Sequence, residues 1–594
     1  MKHPLDIETD VLIVGGGATG LSASMLLSQY GIANCVVSKY PATSALPKAH
    51  LLSIKTMEIF REVGVEDAIR AVACPDENMR YVGWYAGLAG PTPDHGREIA
   101  RLGAFGRGGL DNDWRAASDN SYTNLAQAQL EPLLRARAEE LAPGGIRFYH
   151  QFQSLKQDAQ GVEAQVLDRA SAATYTVRAK YLLACDGGQT VGSLLGVEMQ
   201  GHEAVATTIS VHFAADLSGY FPAGETSDVL NRTILNPDVG EPGVLVPMGP
   251  TTWGVHSPHW VFNMIAAPGE HKPYTDEEVA RRTCAILGIP RERIEVLQIS
   301  RWALNATAAS KYRVGRAFIL GDAAHRMPPA GAHGLNSAVQ DSYNLCWKLA
   351  AVLRGAAGDA LLDTYEQERR PVAQMIVASA YENWQNAWKI AAAFGFSPGQ
   401  GTQENWAALR RLWAEGESGD AARRQATAGI GIARTTYNHL QANFGYAYTQ
   451  GALLADGLAA PRPRDAICDF RPSTKPGHSL PHAWLENTQG RYSINDITAA
   501  GRFVLIAGED GGDWCQAARA IARERGIRLD ACTIGIDKGD RFDLRGEWSS
   551  KREFGPRGAI LVRPDRFIAW RAMDASADAR AALENALQQI LAGA

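Results

Sequence analysis

The stretch GDAAHRMPPAGAHGLN, residues 321–336, contains residue types suited to holding a flat, reducible ring. Pro328 fixes backbone torsions without offering an N–H group, and Gly331 and Gly334 let the main chain approach a ligand face with no side chain between. The N–H groups of Leu335 and Asn336 open a predicted helix, whose dipole would stabilise negative charge developing on the ring. The alternative is a proline-rich loop that caps an ordinary helix.

A second candidate binding turn lies near the start of the chain, where GGGATG fits GxGxxG at Gly15, Gly17 and Gly20. The first glycine permits a tight turn, the second a close approach to a pyrophosphate, and the third close packing of helix on strand. The carboxylate expected about twenty residues later, to bind ribose hydroxyls, would fall at Ser38, which Lys39 follows. We expect a dinucleotide site that uses these two residues instead; a plain glycine-rich turn is the alternative.

Buried strands must position both turns. DVLIV (10–14) and AFILGD (317–322) are apolar runs typical of a parallel sheet covered on both faces. The second ends in Gly321 and Asp322, whose carboxylate can accept a hydrogen bond from a ribose or ribitol hydroxyl. Residues 203–294 instead alternate apolar and polar residues, which predicts an antiparallel sheet over the ring. The aromatic residues of this segment that could shape a pocket are Tyr220, Trp253, His256, Trp260 and Phe262. The alternative is that they are core residues, as aromatic residues on strands more often are.

Composition limits the domain count and the partners. With 594 residues the chain exceeds the roughly 250–300 at which single cores stop growing, so we expect two or three domains. A net charge of -5 gives no basic face for nucleic acid. The eight cysteines show no CxxC pair and no metal-ligand spacing, as in a reducing compartment, and the N-terminal apolar run is shorter than the ~20 residues of a membrane span. We expect a cytoplasmic protein that binds a small molecule, without a metal, a nucleic acid or a membrane.

Four segments together resemble the FAD-dependent aromatic hydroxylases, the single-component flavoprotein monooxygenases with the p-hydroxybenzoate hydroxylase fold. The 321–336 stretch resembles their flavin-binding motif, GGGATG their site for the ADP part of FAD, and QAQLEP, from Gln127, their QxxLE motif. YLLACDGGQT, with Asp186 and Gly187, resembles their DG motif. The resemblance implies FAD as cofactor, and NAD(P)H and O2 as co-substrates.

Within that family, PSTKPGHSLPHAWL (472–485) is similar to the phenol hydroxylases of the 2,4-dichlorophenol 6-monooxygenase and 2-hydroxybiphenyl 3-monooxygenase type. Four family arginines are replaced. Lys48 stands before AH, Lys55 before TME and Ser479 before LPH, and the arginine of the DG motif is absent near Gly192. Because lysine keeps the charge but lacks the bidentate fork of arginine, we expect weaker contacts to phosphate groups. The element order after residue 456 resembles a thioredoxin-type domain, whose Cys515 lacks the second cysteine needed for dithiol exchange.

The resemblance implies hydroxylation of a phenol, ortho to its hydroxyl, through a flavin hydroperoxide. A free phenol has a pKa of about 10, so a base that takes its proton makes the ring more electron-rich. His50 occupies the position of the substrate-facing histidine of phenol-hydroxylating members. Asp113 or Asp119 is the candidate acid that orients its imidazole. The alternatives are a histidine bonded to backbone and solvated loop carboxylates.

The predicted organisation is an α/β, Rossmann-like FAD-binding domain, an antiparallel β-sheet substrate domain, a helical connection and a thioredoxin-like domain. Their predicted ranges are 1–77, 112–202 and 295–390 for FAD binding, 78–111 and 203–294 for substrate, 391–455 for the connection, and 456–594 for the last domain. Two other functions stay open: Baeyer-Villiger insertion or epoxidation of a non-phenolic or polyketide substrate, and flavin binding without redox activity. The sequence also leaves open a homodimer or a higher homo-oligomer.

Overall fold

The structure, a computed structural model, describes residues 6–221, 227–265, 274–498 and 501–592. The first part of the chain alternates strands and helices, as β1 (Ile7–Val14), α1 (Ala18–Gln29), β2 (Asn34–Ser38), β3 (Leu51–Leu52), α2 (Ile54–Glu62), α3 (Glu66–Arg70), β4 (Tyr81–Tyr85), β5 (Glu98–Gly103), α4 (Asp111–Ala117), β6 (Thr123–Asn124), α5 (Gln127–Leu141), β7 (Ile146–Phe148), β8 (His150–Gln157), β9 (Val162–Asp168), β10 (Thr174–Ala184) and α6 (Val191–Leu194).

The middle of the chain is first mainly strand and then helical. Its elements are β11 (Met199–Ala214), β12 (Val229–Asn236), β13 (Glu241–Gly249), β14 (His259–Ile265), α7 (Asp276–Leu287), β15 (Glu295–Ala309), β16 (Arg313–Val314), β17 (Ala317–Ile319), β18 (His325–Arg326), α8 (Gly334–Leu353), α9 (Thr364–Ala393), α10 (Thr402–Trp413), α11 (Glu417–Tyr437) and α12 (Leu440–Asn443).

The C-terminal part is again mixed. Its elements are β19 (Trp484–Asn487), β20 (Gly490–Ser493), β21 (Phe503–Gly508), α13 (Gly512–Arg525), β22 (Leu529–Gly535), β23 (Arg541–Phe542), α14 (Glu547–Lys551), β24 (Ala559–Val562), β25 (Ile568–Ala572) and α15 (Ala579–Ile590).

The first sheet brings the glycine-rich motifs to one edge. Its order is β16-β17-β10-β1-β2-β7, and the neighbours from β17 to β7 are parallel. Val14 pairs with Ala184, and Ala184 pairs with Ile319, so β1, β10 and β17 end side by side. The predicted α/β class is confirmed, and the apolar run of β1 is buried because α1 and α8 pack together in the same core.

The second sheet has the order β18-β15-β11-β14-β13-β12-β4-β5 and is antiparallel except between β12 and β4. One face packs on α7 through Leu245, Trp260 and Phe262. Residues 295–309, which the sequence analysis places in the FAD-binding domain, form β15 of this sheet, because they pair along nearly the whole length of β11. That domain boundary is therefore corrected to the end of β15.

The third sheet, ordered β20-β19-β23-β22-β21-β24-β25, belongs to the C-terminal part. Its core is continuous with that of the first sheet, since the ring of Trp347 on α8 lies 5.5 Å from that of Phe503 on β21. The predicted helical connection forms α10 to α12 and packs on β4 and β5 through aromatic side chains such as Trp84 and Phe394. Among the described residues, none of the helices has both the length and the apolar character of a membrane span.

Candidate active site

The turn between β1 and α1, together with the first turn of α1, contains two glycines where a side chain has no room. Gly15 has a φ of +120°, and a Cβ there would lie 2.1 Å from the carbonyl oxygen of Cys185. A Cβ on Gly20 would lie 2.0 Å from the carbonyl oxygen of Gly15. Gly17 is the N-cap of α1. A side-chain-free turn at a helix N-terminus, on the carboxyl edge of a parallel strand, fits a pyrophosphate.

The DG segment follows β10 at the same edge. The Asp186 carboxylate accepts the N–H groups of Gly188, Thr190 and Val191 at 3.1, 2.7 and 3.0 Å. Its acceptor oxygens therefore hold its own loop, and a direct contact of Asp186 with the cofactor stays a prediction. Arg326, which the sequence analysis did not single out, donates to the carbonyl oxygen of Gly187 at 2.9 Å and joins this loop to the loop after β17.

The loop after β17 is anchored by a buried carboxylate. Gly321 has a φ of +60°, and its N–H donates to Asp341 Oδ2 at 3.1 Å. Asp341 also accepts His325 Nε2 and Arg369 Nε, both at 2.8 Å, with all three side chains fully buried. Burial raises the pKa of Asp341, but His325 and Arg369 lower it below its usual value. Asp322 remains exposed beside this anchor, at the edge shared with the glycine turn.

The loop ends at α8 with a free helix N-terminus. Gly331 has a φ of +107°, Pro328 is buried, and α8 begins at Gly334. The first helical hydrogen bond runs from the Ser337 N–H to the His333 carbonyl at 2.8 Å, so the N–H groups of residues 334–336 precede it. A Cβ built on Gly334 would meet no atom within 4 Å. The open space and the N–H groups that precede the first helical bond fit a ligand that carries negative charge.

The side chain of Asn336 is not part of that free N-terminus. Its Oδ1 accepts the Ser53 N–H at 2.8 Å and the Thr56 hydroxyl at 2.7 Å, and its Nδ2 donates to the carbonyl oxygens of Leu51 and Ala332 at 3.0 and 2.6 Å. All of its polar atoms are therefore used to hold α8 against the start of α2. Only the backbone N–H of Asn336 is left for a ligand.

Gln127 connects the QxxLE segment to the chain around Lys48. Its N–H donates to the carbonyl oxygens of Pro47 and Ala49 at 3.0 and 2.8 Å. Lys48, between them, is exposed and has a φ of +35°. The Gln127 amide donates to Glu131 Oε1 at 2.7 Å, and the same oxygen accepts the first N–H of α1 at 3.1 Å. The segment therefore lies directly against the glycine turn.

His50 is held by an amide. Its half-buried ring makes a 2.6 Å hydrogen bond between Nδ1 and Asn124 Oδ1. Because the amide oxygen only accepts, Nδ1 carries the proton and Nε2 of the neutral ring holds a lone pair. Burial lowers the pKa of His50, and the bond to Asn124 partly offsets this. The backbone also fixes the pair, since Leu51 of β3 pairs with Asn124 of β6.

The carboxylates expected beside His50 lie elsewhere. Asp113 is exposed on α4. Asp119 pairs with Arg61 and accepts the amide of Asn495 from the C-terminal part at 3.3 Å. In the described chain neither bonds to His50, because the β3–β6 pairing brings Asn124 to that position instead. The orienting partner is therefore corrected from Asp113 to Asn124, whose amide carries no sequence signal of this role.

The second sheet presents an apolar inner face to the same region. We call inner face the side of β13 and β14 that carries Val244, Val246, Met248 and Val261, which pack on Ala126, two residues after Asn124. Trp260 and Phe262, considered as pocket residues from the sequence, point to the opposite side and pack under α7. The alternation of apolar and polar residues along these strands was predicted correctly. Which face of the sheet meets the pocket could not be read from it, because α7 covers one face and the start of α5 packs on the other.

Two replaced family arginines meet in the structure. The buried Lys55 ammonium donates to Ser479 Oγ at 2.9 Å and to Glu58 at 3.2 Å. Lys55 is therefore directed at the C-terminal part rather than at the glycine turn. The two replacements therefore lie in one hydrogen-bonded contact between α2 and the C-terminal part.

Comparisons with known proteins agree with this geometry. The family model described as "FAD binding domain" matches residues 8–380, and the model "Aromatic-ring hydroxylase, C-terminal" matches residues 473–594. The chain is 35% identical to 2,4-dichlorophenol 6-monooxygenase of Delftia acidovorans over 98% of both chains. It is 35% identical to tetracenomycin A2 monooxygenase-dioxygenase of Streptomyces glaucescens, over 98% of this chain and 97% of that one.

Among solved structures, the flavin-dependent monooxygenase PieE in complex with FAD and substrate superposes with a TM-score of 0.91. The two sequences are 37% identical, and the match covers 99% of this chain and 100% of that one. The chain therefore belongs to the family of FAD-dependent aromatic-ring hydroxylases, which are flavin-dependent monooxygenases.

Proposed function

We propose that the protein hydroxylates a phenol at the carbon ortho to its hydroxyl, converting phenol, NAD(P)H, H⁺ and O2 into a catechol, NAD(P)⁺ and water. The observation that carries the proposal is the His50–Asn124 pair, which leaves an unprotonated Nε2 next to the segment that packs on the apolar inner face. FAD, when bound, supplies the electron transfer from NAD(P)H to O2 and an electrophilic oxygen atom.

His50 acts on the phenol hydroxyl. A free phenol has a pKa of about 10, so at neutral pH its proton must be drawn away before the ring becomes electron-rich. Nε2 of neutral His50 accepts that O–H, while Asn124 holds the ring in the tautomer that permits it. Because the amide is uncharged, it stabilises an imidazolium less than a carboxylate would. Burial lowers the pKa of His50 and the Asn124 bond offsets this only in part, so His50 is an acceptor that stays unprotonated at neutral pH.

We assign the cofactor residues to the three loops at one sheet edge and to neighbouring segments. In this proposal the glycine turn receives the pyrophosphate, Ser38 and Lys39 at the end of β2 bind the adenosine ribose, and the start of α8 faces the flavin ring. The residues we assign to FAD are Gly15, Gly17, Gly20, Ser38, Lys39, Lys48, Gln127, Asp186, Gly187, Gly321, Asp322, Pro328, Gly331, Gly334 and the backbone of Leu335 and Asn336.

The relatives support an aromatic substrate without naming it. One is named for a dichlorophenol and another for tetracenomycin A2. A deprotonated hydroxyl activates the ring carbons ortho and para to it. The ortho position is proposed because the name of the dichlorophenol relative gives carbon 6, which is ortho to the hydroxyl, as its site of oxygenation.

The deciding experiment follows NADPH and NADH oxidation in air with FAD-loaded protein, in the presence of substituted phenols and naphthols. We expect one phenol to stimulate oxidation and to be recovered as the ortho-diol by mass spectrometry and NMR. The matched methyl ethers, which have no proton for His50 to accept, should neither stimulate turnover nor give product. Equal turnover of a phenol and its methyl ether would refute the role of the hydroxyl.

For the C-terminal part we propose a thioredoxin-like domain with a structural role. The supporting features are the order β22-β21-β24-β25, with β21 and β22 parallel and β24 antiparallel, and the packing of α13 with α15. A homo-oligomer and a cytoplasmic location stay predictions from the sequence.

A further inference from the structure

The inner face continues across the sheet as a row of neighbouring side chains. Val246 of β13 pairs with Val261 of β14, and Val261 pairs with His212 of β11. Neighbouring strands are about 4.8 Å apart, so these three side chains extend over about 10 Å. The row is apolar at Val246 and Val261 and becomes polar at His212, whose ring lies 5.5 Å from that of His259.

Asn231 lies at the other end of this row. On β12 and β13, Arg232 pairs with Leu245, which packs under α7. Successive residues of a strand point to opposite faces, so Asn231 points to the inner face, and the antiparallel register brings it beside Val246. Two apolar side chains are thus flanked by an amide on one side and by an imidazole on the other.

The amide oxygen of Asn231 has an unused acceptor. Asn231 Oδ1 is buried, and within the described chain it has no hydrogen-bond partner. Asn263, on the same face, differs in this respect because its Oδ1 already accepts the Ser210 hydroxyl. Buried polar atoms normally have a partner. At Asn231 the missing partner is therefore expected from outside the protein.

We propose that Asn231 is a specificity-determining residue, whose Oδ1 accepts a hydrogen bond from a second hydroxyl or amino group on the phenolic substrate. The inference rests on the proposed function, because it takes the ring to lie on Val246 and Val261 with its first hydroxyl at His50. The substrate class is then a phenol with a second donor group across the ring system, not a phenol with only alkyl or halogen substituents. A site that hydrogen-bonds a substrate hydroxyl discriminates strongly against the analogue that lacks it.

The test measures ligand binding, not turnover. FAD-loaded protein is titrated with pairs of ligands in the absence of NAD(P)H. Each pair consists of a dihydroxynaphthalene and the methylnaphthol in which a methyl group replaces the second hydroxyl. The change in flavin absorbance gives the Kd of each ligand. We expect at least one diol to bind roughly 10- to 100-fold more tightly than its methyl analogue. Asn231→Leu should remove that difference by weakening the diol alone, and Asn231→Asp, which keeps an acceptor, should retain it.

Gln298→Leu is the matched control, because Gln298 pairs with His212 and is exposed at the far end of the same row. It should leave both Kd values unchanged. The inference is overturned if the wild type discriminates no pair, or if Asn231→Leu weakens the diol and the methyl analogue equally. A separate turnover measurement distinguishes this inference from the proposed function. If the wild type hydroxylates phenols but Asn231→Leu still prefers the diol over its methyl analogue, only the role of Asn231 is refuted. If the wild type prefers the diol but hydroxylates no phenol, only the proposed hydroxylation is refuted.

Discussion

Arg563 of the C-terminal part binds Glu368 of α9 through two hydrogen bonds of 2.7 and 2.8 Å, and both side chains are fully buried. Lys348 of α8 donates to the same carboxylate at 2.8 Å, and Asp565 pairs with Arg563. Burial raises the pKa of Glu368, but Arg563 and Lys348 together lower it to about 2. A buried network of charges therefore joins the C-terminal part to α8 and α9.

Replacing one member of this network should destabilise the whole protein. Arg563→Met removes the cation that faces the buried Asp565 and Glu368 carboxylates, a loss of about 3–5 kcal/mol. We expect an earlier first transition in urea unfolding. Arg557→Met is the control, because Arg557 pairs with Asp574 on the surface, where ion pairs contribute little. Equal shifts for the two variants would contradict the prediction.

Loss of the His50 imidazole should slow hydroxylation and spare the cofactor. General-base groups contribute about 10²- to 10⁴-fold in rate, so His50→Leu should lower kcat by about that factor. FAD affinity should change little, since the side-chain hydrogen bond of His50 goes to Asn124. Stopped-flow kinetics of substrate hydroxylation and fluorescence titration of FAD test the two halves separately, and loss of FAD would disprove this assignment.

A carboxylate in place of the Asn124 amide should change the pH dependence. Asn124→Asp places a negative charge next to Nδ1–H, which favours the protonated ring and raises the pKa of His50. The unprotonated base then forms only at higher pH, so the acidic limb of the kcat/KM profile should shift upward. Asn124→Leu cannot orient the ring and should lower kcat without that shift. An unchanged acidic limb in Asn124→Asp would exclude His50 as the titrating group.

Gly334 and Gly512 form a matched pair for FAD binding. Each is the first residue of a helix, and a Cβ on either would meet no atom within 4 Å. Alanine at a helical position is favoured over glycine by about 0.5–1 kcal/mol, so neither Gly334→Ala nor Gly512→Ala should lower the melting temperature of the apoprotein. Only Gly334→Ala should weaken FAD, because its methyl group enters the space in front of α8. Equal FAD affinity in both variants would place the flavin elsewhere.

His333 should make the protein sensitive to mild acid. Its buried ring lies 4.6 Å from that of His439, and burial lowers its pKa to about 4, with a partial increase from Asn443. The unfolded value is about 6.5, so the folded state has its full stability above pH 6.5 and loses about 3 kcal/mol as the pH falls from 6.5 to 4. Urea unfolding of His333→Gln over this range should show a smaller loss, and parallel curves would argue against His333.

The parts of the fold that local sequence determines were predictable. Residues a few positions apart determine the apolar strands, the glycine turn and the start of α8. The start of α8 was expected at Leu335 and lies at Gly334. The position of β15 in the second sheet depends on its pairing with β11, about ninety residues earlier in the chain. The sequence pattern does not show this pairing, and residues 295–309 were therefore predicted to belong to the wrong domain. A β-strand pattern gives the alternation but not the partner strand.

The same limit applies to the site. The predicted glycines lie at one sheet edge because parallel strands end together. The partner of His50 could not be predicted, since Asn124 is brought to it by a two-residue pairing of β3 with β6. The contact of Arg326 with the DG segment is visible only in the folded chain. Asn231 becomes a candidate for substrate binding only when the strand register and the hydrogen bonds of its side chain are known.

The central position of β10 between β1 and β17 affects how the chain folds during synthesis. β1 ends at Val14 and β17 at Ile319, so about three hundred residues leave the ribosome between the first parallel strand and the one that completes this edge of the sheet. At 5–20 residues per second this interval lasts about 15–60 s. During that time the apolar run of β1 has no finished sheet to enter, and a chaperone that shields nascent apolar strands would raise the yield of folded protein.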